Sequence, residues 1–395
     1  MGNIPGIPDT PSPTGLPRDL ALLPYPPEAP VRESLDFLTD VMISHNGTED
    51  RIQLRSKPRQ SFTYKIPTQA WNMANAFNVG YAAIRDRWAV PVWPEGQYIG
   101  LIHPNTAFIS CATSSYDLRP NSYALIYAAC ESYQLVEITT VEPNGINIIG
   151  DVGGFKGAWL IPVRLGWIAG NMSRQTNGHN AITEITFEIE DNPTYDDITP
   201  EQYSGNDIYY EPGLLSSGSI TRTVEKISDV ADFDLGPVAR RSPWLNARYG
   251  TPYRSVLVGP EEIRAYKDWL FRRAGKFRAF WMPTFEANLR VVGSGNIATT
   301  LMIEADSFIP YGSKRTHIAI QGIDGQWRVR TILYFLQMGA DRVQLTLSSP
   351  LNMASSSIAH ISYLGLNRLD TDKIELQWIG GGVVESNVRI LEITP

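Results

Sequence analysis

The sequence predicts a β-rich α+β protein: two similar β-sandwich or split-barrel modules, each with one main helix, preceded by a proline-rich extended arm. Three observations lead there. The first is internal similarity at an offset of 189 residues over some sixty positions: the run from Leu35 to Val41 lines up with that from Val224 to Val230. The same shift sets Arg51 on Arg240, Arg59 on Arg248, Tyr64 on Tyr253, Phe77 on Tyr266 and Pro94 on Pro283. Many matches in one register mark a repeated architectural unit. The second is a succession of short alternating runs punctuated by Gly and Pro, the pattern of half-buried strands. The third is proline density: Pro5, Pro8, Pro11, Pro13, Pro17, Pro24, Pro26, Pro27 and Pro30 fall in the first thirty residues. Proline fixes φ and removes a backbone donor, so this stretch reads as an extended arm without helix or strand, poised to contact another chain.

After the arm, residues 35–44 and the Asn46-Gly47 turn open the first module, and Gln60 to Ile66 alternates as a strand. Thr68 is placed to cap a helix running to Ile84, with Trp71, Ala74, Phe77, Val79, Tyr81 and Ile84 near helical spacing. The second module repeats this. Tyr253 to Val258 reads as strand, and Pro260, Glu261 and Glu262 open a helix whose inward stripe is Ile263, Tyr266, Trp269 and Leu270 and which Gly275 ends. In both modules an aromatic-rich strand follows, from Arg87 to Pro94 and from Lys276 to Pro283. Beyond it the offset grows: residues 132–136 match 326–330 at 194, and 144–148 match 341–345 at 197, as loop insertions would produce. Alternating strands at 182–189 and 387–393 close the modules, and the polar, turn-rich stretch between them reads as a linker. The predicted organisation is an arm over 1–30, a first module over 31–193, a linker over 194–218 and a second module over 219–395.

Composition suits a structural part. The chain has 395 residues and 43% hydrophobic content, enough to bury a core in each module. Cys111 and Cys130 are its only cysteines and make neither a disulfide framework nor a four-thiolate metal site; both read as small buried apolar residues. No basic segment followed by an apolar core marks a secretory signal, and apolar runs such as 123–130 are too short to span a bilayer. The net charge of -7 with no long basic run argues against a protein that grips phosphates.

The residues that carry a family resemblance are now in view: Leu38-Thr39-Asp40-Val41, then the stretch from His45 to Arg51, that from Arg55 to Tyr64, and that from Arg87 to Trp93. The second half adds Phe271 to Lys276, Phe280 to Pro283, and the run from Asp370 to Trp378 before a last strand. In these the chain resembles bacteriophage tail-tip proteins of the distal-tail and baseplate-hub group of siphophages and gene transfer agents. The likeness extends over nearly all of the chain after the arm and consists of packing and turn residues without a catalytic motif. It implies a ring of β-sandwich or split-barrel units around the tail axis that joins tail tube to hub and fibres. It also implies a virion protein, assembled in the host bacterial cytoplasm, with tail tube, tape measure, hub and fibre proteins as partners. Phage DNA would pass through without specific binding, and no membrane insertion is expected. Because tail tubes of the family are sixfold and hub layers threefold, a two-module chain is expected to form a homotrimer in a pseudo-sixfold ring, a sixfold-to-threefold adaptor.

The chemistry expected is none: no catalytic, cofactor-binding or metal residues, and no cofactor. No nucleophile elbow, zinc helix, phosphate-cradling loop or Cys-x-x-Cys pair occurs. His45, His103, His179, His317 and His360 are scattered and read as turn or strand-end histidines. Acidic clusters at 188–191, 195–197 and 370–372 read as solvated loops rather than a glycosidase pair. Trp93, Trp269 and Trp281 fall on repeated elements and read as core. Two other functions are weighed. A carbohydrate- or receptor-binding module of a tail fibre would place exposed aromatics on loops, and a tail-associated cell-wall hydrolase would carry a Cys/His or Glu/His constellation.

Overall fold

The computed structural model describes residues 20–394, apart from 70, 71, 85, 151, 192–194, 196–198, 214–221, 227, 233, 235, 245, 246, 310 and 311. The described residues are β-rich with two α-helices, the α+β class that the sequence predicts. In chain order the first half contains β1 (Leu20–Leu22), β2 (Glu28–Asp36), β3 (Thr39–Ile43), β4 (Glu49–Gln53), β5 (Arg59–Gln69), α1 (Asn72–Ala82), β6 (Arg87–Pro91), β7 (Gln97–Ile102) and β8 (Phe108–Ser110). It continues with β9 (Ser122–Ala129), β10 (Ser132–Glu142), β11 (Gly145–Ile149), β12 (Phe155–Ile168), β13 (Ser173–Asn177) and β14 (Asn180–Ile189).

The second half contains β15 (Gln202–Tyr203), β16 (Asn206–Ile208), β17 (Thr223–Glu225), β18 (Asp229–Ala231), β19 (Ala239–Arg241), β20 (Arg248–Val258), α2 (Pro260–Arg273), β21 (Phe280–Pro283), β22 (Asn296–Ile297) and β23 (Thr300–Glu304). After these come β24 (His317–Gly322), β25 (Trp327–Gln337), β26 (Arg342–Leu347), β27 (Met353–Ala354), β28 (Ile358–Leu369), β29 (Lys373–Gly380) and β30 (Val383–Glu392). Alternation decides which faces go inward. In β14 Ala181, Thr183, Ile185, Phe187 and Ile189 are buried while the residues between them face out.

The order of strand pairing in the first half recurs in the second. β5 pairs antiparallel with β2 and β14, and β20 with β17 and β30. A parallel strand joins β6 and β21 alike, from β1 and β16. The hairpin β3–β4 has its counterpart in β18–β19, and the ladder β12–β9–β10–β11–β8 in β28–β24–β25–β26–β23. Even the irregularities recur: the register shift between Ile138 and Thr140 matches that between Ile332 and Tyr334. Registers fix the offsets. Ser34 against Ser61 and Thr223 against Gly250 keep the shift at 189 through β2 and β5. Tyr133 against Tyr127 and Trp327 against Gln321 keep it at 194 through β9 and β10.

Two sequence alignments shift. Pro91 lies opposite Val163 and Pro283 opposite Leu364, so Pro91 rather than Pro94 is the counterpart of Pro283. The cause is helix length: α2 has 14 residues and α1 has 11, which moves the register by three. In β11 and β26, Ile146 and Leu345 occupy equivalent rungs opposite Ile109 and Leu301, two residues away from the expected alignment.

Other expectations also move. Thr68 does not cap α1. It is a buried member of β5 opposite Ala181, because pairing with β14 continues to Gln69 and delays the helix to Asn72. Trp71 lies outside the described residues. In α2 the helix ends on Ala274 in the left-handed conformation, with Gly275 following at φ +66. Residues 20–30 are not free of structure. Leu20 to Leu23 interrupt the prolines with apolar side chains, β1 pairs along β6, and Leu23 is 4% exposed. Residues 1–19 lie outside the described part. Within the expected linker, β16 runs beside β21 and its Asp207 is held by Arg272 and Arg273 at the end of α2.

The halves share a core. β2 pairs on one side with β5 and on the other with β29, Val31 opposite Trp378 through Asp36 opposite Lys373. The largest buried cluster accordingly joins Leu35, Phe62, Tyr64 and Trp88 to Tyr266, Leu270, Phe280, Ile374 and Trp378. Separate clusters fill the outer ladders, around Ile126 and Ile138 in one half and Ile320 and Leu345 in the other.

Candidate assembly interface

The feature that invites a functional reading is the seam where β2 meets β29 and α2. A lysine lies buried in it. Lys267 points its Nζ at Glu33 Oε2, 2.9 Å away, and at Glu95 Oε1, 3.2 Å away, with the Trp378 ring centroid at 5.0 Å. Glu33 is fully buried; it accepts 2.7 Å and 3.0 Å hydrogen bonds from Gln60 Nε2 and Trp378 Nε1. Burial pushes the Lys267 ammonium towards losing its proton, but the Glu33 and Glu95 carboxylates override it and raise its pKa well above the ordinary lysine value. The network extends further: Glu95 Oε2 accepts from the Asp117 amide, and Asp117 is clamped by Arg119 and Arg164. Burial raises the Asp117 pKa and the two guanidiniums lower it, with a net fall well below the carboxylate range.

A second ionic contact closes the seam at its other end. Glu49, on the β3–β4 hairpin, meets Arg248 Nη1 at 2.5 Å and Arg368 Nε at 2.8 Å, both from the second half. Phe37 packs edge-on against Phe271 with ring centroids 5.8 Å apart, and Asp372 accepts from the amides of Thr39 and Lys276. These contacts make the arrangement of the two halves one specific packing.

The strands equivalent to β29 and β2 have an open edge among the described residues. β13 pairs only with β14 among the described residues, and all five of its residues are exposed. β17, the counterpart of β2, pairs only with β20 among the described residues. Val224 is 59% exposed where its counterpart Leu35 is fully buried. On α1, Tyr81 is 79% exposed.

The side chains weighed for chemistry do not converge. His45, His103 and His179 are exposed, with His45 3.6 Å from Asp229. His317 is half-buried, its Nδ1 3.0 Å from the Tyr203 hydroxyl, and burial lowers its pKa. His360 stands edge-on to Trp327. Among the described residues no three His, Cys, Asp or Glu side chains are grouped to hold a metal. Cys111 and Cys130 are free and only half-buried, each at a strand end rather than inside the core. Burial pushes the Cys111 thiol up to about 11. The acidic clusters are structural where described: Glu190 pairs with Arg87, Asp191 with Arg119, and Asp370 with Arg368. Asp196 and Asp197 lie outside the described residues. Trp281 is core at 2% exposed, and Trp93 and Trp269 pack partly buried against core clusters.

A cleft of about 350 Å³ opens beside the seam, lined by Trp93, Tyr127, Trp159 and Trp378 with Pro26 and Pro27. Its lining has no charged or amide side chain. A glycan site needs such groups to bond sugar hydroxyls, so the aromatics there read as packing. No helix among the described residues is long and apolar enough to cross a membrane.

What sequence reasoning missed is the seam network, since Lys267, Glu33 and Glu95 read individually as surface charges. A signal existed in the second helix, where Lys267 follows directly on the inward Tyr266. No protein-family model matches the chain, and no curated protein is significantly similar to it.

Proposed function

We propose that the chain is two copies of one β-rich module and serves as a structural subunit of a phage tail tip, a distal-tail or baseplate-hub ring that joins tail tube to hub and fibres and lines the DNA channel. Three chains place six like units towards a sixfold tube and three distinct faces towards a threefold hub, and the subunit performs no catalysis. The observation that carries this reading is the recurrence of one pairing scheme, down to a shared bulge, with the module-to-module seam filled on one side and its counterpart open on the other. A surface repeated within a chain and left unpartnered at both ends suits head-to-tail closure into a ring. The tail-tip assignment itself rests on the sequence resemblance, with which the net charge of -7 is compatible, because an acidic lumen does not retain DNA.

The test is to image tails by electron microscopy, labelling this chain and averaging without imposed symmetry. Three copies in one layer at the tip support the adaptor reading. Six equivalent copies or a single copy overturn the adaptor, and absence of the chain from tails overturns the tail-tip assignment.

A further inference from the structure

We propose that the chain binds a second copy of itself by strand addition: β17 of one copy pairs antiparallel with residues 171–173, at the start of β13, of the next, repeating between chains the β2–β29 seam within each. The proposal rests on the two-module reading and specifies the contact that would close its ring. Registers supply the pairing. Arg174 pairs with Thr183 as Leu376 pairs with Ser386, and β14 and β30 themselves align through their common pairing with β5 and β20. β13 is therefore the counterpart of β29, and β17 that of β2. Ser34 opposite Glu375 in the existing seam becomes Thr223 opposite Ser173, and Leu35 opposite Ile374 becomes Val224 opposite Met172.

Burial agrees with this occupant. Val224 is 59% exposed at a position whose counterpart Leu35 is fully buried in the core that the two halves share, and Tyr81 on α1 is 79% exposed. The surface that a second copy would set against Val224 is the counterpart of β29, with Met172 in the place of Ile374. Neither edge has a second strand partner among the described residues, the usual template for strand addition. The one like-charged pair in the register, Arg222 against Arg174, is relieved in place: Arg222 is held by Glu286 and the Thr284 carbonyl, and Arg174 lies over the Phe77 ring, 5.1 Å from its centroid. Because β13 and β17 are different surfaces, the contact is heterologous, and it closes as a ring or grows as a filament.

Cross-linking tests the register. In the existing seam the Phe37 amide donates to the Asp372 carbonyl, so alternation makes Ser34 and Glu375 a pair without mutual hydrogen bonds. Such pairs bring Cβ atoms to about 4.5–5.5 Å, close to disulfide reach. The full chain is prepared with Cys111→Ala and Cys130→Ala in two tagged forms, one carrying Thr223→Cys and the other Ser173→Cys; both new cysteines replace exposed polar residues. The forms are mixed and oxidised while native mass spectrometry reports the assembly state. The expected result is a disulfide between differently tagged chains, at least tenfold more abundant than with Thr176→Cys in place of Ser173→Cys, a site about 10 Å further along the strand. Oligomers without that cross-link, or with equal yield at both sites, overturn the strand-addition contact and leave the ring function standing. A chain that stays monomeric at every concentration reached, and in tails also fails to appear in multiple copies, overturns both.

Discussion

Replacing Lys267 with methionine tests whether the seam holds the two halves through a buried charge network. The substitution preserves the apolar stem that lies under Trp378 and removes the ammonium 2.9 Å from Glu33 and 3.2 Å from Glu95. The Lys267 side chain is 3% exposed and that of Glu33 is 0%, so solvent cannot take over the abandoned carboxylates. Removing one partner of such a buried pair costs about 3–5 kcal/mol, mostly the penalty of an uncompensated charge. For 395 residues unfolding together, at about 2.1 cal/mol/K each, that lowers Tm by about 4–6 °C. Urea unfolding at pH 7 followed by tryptophan fluorescence measures the loss, since Trp378 sits in the network. Adding Glu33→Gln removes one stranded charge, so the double variant should be more stable than the sum of the two single losses by about 1–3 kcal/mol. A single-variant cost below about 1 kcal/mol, or zero coupling, would refute a cooperative buried network. The pKa of Lys267 is raised by folding. Its contribution is therefore complete below the ordinary lysine value near 10.4 and fades only as pH climbs through the higher folded value.

Two further outcomes follow from the packing. Glu49, Asp117 and Asp207 all have carboxyls held below their ordinary range, burial opposing and Arg368, Arg164 and Arg272 respectively outweighing it. Their stabilisation is present above the unfolded carboxylate pKa of about 4 and is lost as pH falls through the lower folded values, so urea midpoints should drop on acidification below about pH 4. Asp117→Asn should flatten that drop, and an unchanged acid limb would count against the assignment. Gly166 lies opposite Ile189 and Trp88, where an added Cβ would come within 2.3 Å of the Glu188 carbonyl oxygen. Gly166→Ala should cost about 1–3 kcal/mol by overpacking, measured by urea unfolding. Its counterpart Asn367, which bonds the Gly365 carbonyl, should lose only about 0.5–1.5 kcal/mol on change to Ala. Equal costs at the two sites would show that the backbone gives way at Gly166.

The legible part of the fold was local. Leu35 and Val224, Arg51 and Arg240, and Tyr64 and Tyr253 sit on equivalent rungs because turn and alternation patterns repeat over short spans. The three-residue difference between α1 and α2 was not legible, since a longer helix adds one partial turn without disturbing the amphipathic pattern on either side. Nor was β1, whose three-residue parallel pairing sets Leu20 opposite Arg87, far along the chain. The seam was least accessible of all. Val31 and Trp378 are nearly the whole chain apart, and only tertiary packing turns Glu33 and Lys267 from surface-type residues into buried partners.

The chemical contrast between the filled seam and its open counterpart fits a division of labour between contacts made once and contacts made during assembly. Lys267 in α2 stands where the 189-residue shift places Asn78 of α1, which is exposed and uncharged. The strand equivalent to β29, with Ile374, Leu376 and Trp378 buried, is the wholly polar Ser-Arg-Gln-Thr-Asn of β13. A seam within one chain forms at high effective concentration and tolerates buried charge, because its partners cannot diffuse away. An edge awaiting another chain must remain soluble beforehand, and hydrophilic side chains on an open strand limit promiscuous pairing. Two identical modules could not satisfy both demands. In the proposed assembly, divergence at Lys267 and Asn78, and along β29 and β13, would let one contact be permanent while its counterpart stays reversible. In the proposed ring of three chains, that asymmetry would be what distinguishes three faces from six.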